Sequence, residues 1–238
     1  MSRPDYNNSN DHDWEDSEGV SWSELDWQAF LKANQAQMDL FLNLYLEKKA
    51  SDPNAYMAHQ WLDHAAQLMG WAGQPTDETS DFSSCDEQLD RLLEGGGRLV
   101  PYTIHQHPVF IVTQAFFDYI DETWAKACSK PNMWVPSHFL WRLNSIFQTA
   151  RFEAIMALAS AQLDDYSLAI CHFKHGLTYV NQALKALQEI REDRPIVPLV
   201  LLQDTQAVLF DIRAIWLRMI EDCRQEAHEK QLPDDDEA

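Results

Sequence analysis

Residues 151–181 read RFEAIMALASAQLDDYSLAICHFKHGLTYVN, and this stretch decides the fold. Apolar side chains approach the Asp164-Asp165 pair in steps of three and four: Leu143, Ile146, Phe147, Ala150, Ala154, Ala157, Leu158 and Ala161. They leave it in the same rhythm: Tyr166, Ala169, Ile170, Phe173, Gly176, Leu177, Val180, Leu184 and Leu187. Such a stripe is the mark of a helix with one buried face. The short polar break predicts a tight turn, so the two helices lie antiparallel. Small residues crowd the end of the first helix, from Ala150 to Ala161, and predict the closest helix approach there.

Further helices extend outward from this hairpin. Ser23 with Asp26 three residues later fits a helix start, and Glu24 and Asp26 suit the positive end of its dipole. Trp27, Leu31, Met38, Phe41, Leu42 and Tyr45 form the expected stripe, and Lys48-Lys49 close it. Asp52-Pro53 restarts a helix that carries Met57, Trp61, Leu62, Ala65 and Leu68 and stops at Gly70. Ser84 and Glu87 predict a short helix ended by Gly95-Gly96-Gly97, and Val100 to Ile104 suggest an extended piece. Pro108 opens a helix with Val109, Val112, Phe116, Ile120 and Trp124 inward. Pro136-Ser137 starts the helix that feeds the hairpin, and Pro198 precedes a last long one. That last helix has its stripe at Leu201, Val208, Ile212, Ile215, Met219 and Cys223, yet Leu209, Phe210 and Trp216 lie on other faces. A helix apolar on several sides is central or meets a second copy of the chain, which makes these three residues interface candidates.

The fold expected is all-α: an antiparallel bundle of about six long helices and one short one over residues 21–230. A subdomain joint falls near residues 95–97. The polar stretch 1–20 has the composition of a disordered acidic tail, with Trp22 folding back on the first helix, and 231–238 form a second acidic tail. The formal net charge is −20, and subtracting the two ends leaves the body about −11. Such a surface repels nucleic acid and anionic membranes and favours a basic protein partner. Cys85, Cys128, Cys171 and Cys223 stand far apart, and no apolar run reaches spanning length. A cytoplasmic setting with reduced thiols is the expectation.

Within the hairpin, Asp164-Asp165-Tyr166, Ala169-Ile170, Phe173 and Gly176-Leu177 resemble the second half of a tetratricopeptide repeat, with Ala157 at the small position of its first helix. Glu153 and Met156 depart from the family's Trp-x-x-Leu-Gly, Ser160 replaces its Tyr, and the second helix runs on to about Arg191. One unit is present, over residues of about 150–183. The resemblance implies a helical hairpin of the kind that serves protein binding.

Four groups have the residue types of a metal site. His105-Gln106-His107 would aim both imidazoles one way if extended. His172 and His175 share a helix face, with Cys171 beside them. His59, Asp63 and His64 lie together, as do Asp118, Asp121 and Glu122. No Gly-rich phosphate loop, nucleophile elbow or dinucleotide fingerprint occurs, and Cys128 with His138 has nothing to position it. The reading is therefore an acidic helical interaction or assembly module, without a cofactor, that binds a protein partner or pairs as a homodimer. A helical-bundle enzyme using a divalent metal on some of His59, His64, His105, His107, Asp118 and Glu122 is the first alternative. A decoy that mimics nucleic acid through its negative surface is the second.

Overall fold

The structure is a computed structural model that describes residues 22–51, 60–71, 103–131, 135–192 and 197–230. Every regular element among them is helical: α1 (Glu24–Ser51), α2 (Gln60–Leu68), a 3-10 turn (Ile104–Gln106), α3 (Pro108–Cys128), α4 (Ser137–Gln162), α5 (Tyr166–Glu192) and α6 (Leu199–Glu229). The chain divides into two compact units, Met1–Ala33 with Asp81–Pro101, and Asn34–Ser80 with Tyr102–Ala238. The expected short helix near Ser84, the Gly95–Gly97 joint, the Asp52-Pro53 helix start and both tails lie outside the described residues.

In the first unit, Ser23 caps α1. The Asp26 carboxylate accepts from the Ser23 backbone N–H at 2.8 Å, and the Ser23 hydroxyl accepts from the Asp26 N–H at 3.3 Å. Trp22 folds onto the helix, its ring 4.9 Å from Trp27 and 5.6 Å from Phe30. Phe30 and Ala33 are the buried positions, whereas Leu31 and part of Trp27 face solvent. The stripe expected from the sequence was thus misplaced in this half of α1. The true line passes through Phe30, Asn34, Met38, Phe41 and Tyr45, and the polar Asn34 hides it.

In the second unit the hairpin forms as expected. The end of α4 closes with Asp164 in the left-handed region (φ 63°), where its N–H donates to Ala161 and that of Asp165 to Ser160, each at 3.0 Å. Asp165 then caps α5 by accepting from the Leu168 N–H at 3.0 Å. One aspartate ends a helix and the next begins one, so the chain reverses between Gln162 and Tyr166. Small residues on the facing stripe let α4 and α5 pair more extensively than any other two helices among the described residues.

The helix with the longest fully buried run among the described residues is α3. Phe110 through Phe117 are eight consecutive buried residues, so this two-turn run has no solvent face. Phe116 meets Phe41 and Tyr45 of α1, Phe117 meets Phe147 of α4 and Trp216 of α6, and Trp124 meets Phe139 of α4. Full burial of each such aromatic stabilises the fold by about 1.5–3 kcal/mol. The last helix, α6, meets four others. Trp216 packs against Phe173 of α5 and donates to Thr113 of α3 at 3.2 Å. The Trp124 indole N–H donates to Thr205 at 3.0 Å, the Tyr45 hydroxyl to Asp211 at 2.6 Å, and Arg218 to Asp63 of α2 at 3.1 Å.

Candidate binding cleft and histidine clusters

Where α1 and α3 part, they leave an open cleft of about 240 Å³. Its floor is apolar: Met38 and Leu42 of α1 and Ala115 of α3. Its rim carries Asp39, Asp118, Asp121 and Glu122. Helical spacing produces this division, because 38 and 42 fall one turn apart, the first buried and the second partly so, while 39 stands one step toward water. On α3, residues 118, 121 and 122 share the face that follows Ala115.

The acidic residues already have partners. Arg151 of α4, with its side chain 18% exposed, reaches Asp118 at 3.0 Å and Asp121 at 3.2 Å, and its guanidinium lies 5.4 Å from the Phe117 ring centre. Glu122 pairs with Lys126 at 2.7 Å, and Asp39 accepts from the Gln35 amide at 3.2 Å. Of the Asp118, Asp121 and Glu122 cluster, the two aspartates are therefore balanced by a guanidinium from a neighbouring helix and Glu122 by a lysine of its own helix. Burial raises the Asp121 carboxyl above its ordinary value, against the pull of Arg151. At the cleft edge the Tyr119 hydroxyl donates to Asp204 at 2.5 Å, and Lys49 pairs with the same carboxylate. Burial and that carboxylate push the Tyr119 phenol well above its usual range, so it serves as a donor and not as a base.

The histidine candidates fare differently. Residues 104–106 form a 3-10 turn, so His105 and His107 are not alternate residues of an extended strand, and the geometry expected for a shared metal is absent. His107 caps α3 through Nδ1, which accepts from the Val109 N–H at 3.2 Å, and the His105 ring stacks edge-on to Phe110 at 4.8 Å. Burial lowers both imidazoles below the ordinary histidine value. His172 and His175 do share a face of α5, and Glu153 of α4 stands between them, with its Oε2 2.7 Å from His172 Nδ1 and 4.0 Å from His175 Nδ1. Asp63 is engaged by Arg218, His64 is half-buried on α2, and His59 lies outside the described residues.

Of the interface candidates, Leu209 and Trp216 are fully buried in the chain's own core, and Phe210 stays 40% exposed. The many-sided apolar character of α6 comes from its packing against four helices. Asp39, Arg151 and Glu153 were not singled out as site residues in the sequence. Each lies on a polar flank, and only the docking of a second helix tells such a residue from a solvated one.

The fold and cleft define an all-helical bundle with an acidic groove. Comparison of the chain with protein-family models, curated proteins and solved structures finds no match. Among the described residues, no helix is long and apolar enough to cross a membrane.

Proposed function

We propose that this chain is a protein-interaction module whose α1–α3 cleft receives a basic, partly apolar segment of another protein. The observation that carries this reading is the cleft itself, an apolar floor beneath four carboxylates in a chain of net charge −20. Lysine and arginine suit such a groove, because their aliphatic stems cover apolar surface while the cationic heads reach the rim. The tetratricopeptide-like hairpin belongs to this reading as scaffold, since α4 supplies the arginine that braces two of the rim acids. A cytoplasmic setting suits the free thiols of Cys128, Cys171 and Cys223.

The test is fluorescence anisotropy with labelled amphipathic peptides rich in lysine and arginine. Basic peptides are expected to bind, and the double variant Asp39→Asn, Glu122→Gln to bind about tenfold more weakly, with added salt acting in the same direction. Equal affinity for an acidic control peptide would reject the proposal.

Self-association is a second reading, favoured by Trp141 and Phe152 at 75% and 57% exposure. Eleven residues apart on α4, they fall within about 20° of one line along the helix. Light scattering at rising concentration decides it, and a monomer throughout would remove it.

A further inference from the structure

We propose that two copies of this chain pair through the outward face of α4, in a two-fold seam where the helices run antiparallel and cross at Phe152. The inference rests on the self-association reading above and gives it an interface. Trp141, Phe152 and Leu163 are exposed at 75%, 57% and 80%, and they stand eleven residues apart. Ser145, Gln148, Met156 and Ala159 fill the intervals. At 3.6 residues per turn every one of these positions falls within about 40° of Phe152, along about 33 Å of helix. None of them is charged. The line is also self-complementary. With the two-fold axis at Phe152, Trp141 of one copy meets Leu163 of the other, Ser145 meets Ala159, Gln148 meets Met156, and Phe152 meets itself.

Charge favours a second copy at this face. Two chains of net charge −20 repel one another, so contact is cheapest where neither brings a free carboxylate. The charged residues of α4 are Arg142, Arg151 and Glu153. Glu153 turns to His172 of α5, with its side chain 15% exposed. The two arginines neutralise the acids that flank the line: Arg142 pairs with Glu189 of α5 at 3.2 Å, and Arg151 with Asp118 and Asp121 of α3. At each end the same register sets Asp165 opposite residue 139 of the second copy, between His138 and Arg142, so acid stands near base. One helix from each copy makes a small interface, below about 1,200 Å² in total, which suits a dimer with a dissociation constant in roughly the micromolar range.

The experiment is sedimentation equilibrium of the full chain across the micromolar range. A reversible monomer–dimer equilibrium is expected, and added sodium chloride should tighten it by screening the repulsion between copies, the reverse of its effect on a basic peptide in the cleft. Phe152→Glu sets two like charges face to face on the axis and should weaken the dimer by at least about a hundredfold. Trp141→Ala should weaken it by at least about tenfold. Both side chains are exposed, so circular dichroism should be unchanged. Leu217→Glu makes the same charge change on an exposed position of α6 and should leave the dimer intact. A monomer at every concentration overturns the seam together with the self-association reading. A dimer that survives Phe152→Glu, or that Leu217→Glu weakens equally, keeps that reading and overturns the seam alone.

Discussion

Gly176 shows how a single atom is decided by a distant residue. A β-carbon there would lie 2.8 Å from Cζ3 of Trp216. That ring is fully buried between Phe117 and Phe173 and tied to Thr113, so it has nowhere to retreat. Gly176→Ala gains about 1 kcal/mol of helix propensity but incurs an overpacking cost of about 1–3 kcal/mol. The variant should therefore be no more stable than the parent and up to about 2 kcal/mol less so, read as a lowered urea midpoint at unchanged slope. The partly buried His105 and His107 carry a pH dependence. Their lowered values mean that the unfolded chain binds protons first as acid is added, beginning near the ordinary histidine value of about 6.5. Stability is then full above that pH and falls below it. His107→Asn keeps an acceptor for the Val109 N–H and cannot titrate, so its melting temperature should fall less between neutral pH and about pH 5 than that of the parent.

The α4–α5 hairpin shows what an element owes to its turn. Asp164 takes the left-handed conformation and Asp165 starts the next helix, so two like residues have unlike roles. Asp165→Ala leaves the Leu168 N–H without its cap and should cost about 1 kcal/mol, seen as a melting temperature lower by a few degrees. Asp165→Asn keeps an acceptor oxygen at the cap and removes only the charge, so it should retain most of the parent's stability. Comparing the two variants separates cap chemistry from electrostatics. The starts of α1, α3, α4 and α6 were legible for the same reason, since Ser23, Pro108, Pro136 and Pro198 act through local backbone chemistry. The 3-10 turn at Ile104 was not, because nothing in residues 100–107 separates a tight turn from a short extended run.

At the scale of the molecule, α3 and α6 share the role that the sequence assigned to the hairpin. Periodicity reports how many faces of a helix are apolar but not what covers them, and in α6 it is the chain's own core that covers Leu209 and Trp216. The net charge of −20 opposes compaction through self-repulsion. Moderate sodium chloride should therefore raise the thermal midpoint. A fall instead would mean that partly buried pairs such as Arg151 with Asp118 and Asp121 outweigh the repulsion.

Helix type, the hairpin turn and the acidic character were determined by the sequence alone, because each rests on neighbours within four residues or on simple composition. The cleft between α1 and α3, the arginine behind its rim, and the meeting of Glu153 with His172 and His175 were decided only by tertiary structure. Polar residues on a helix flank look alike in sequence, and a partner nineteen or thirty residues away becomes a neighbour only when two helices dock.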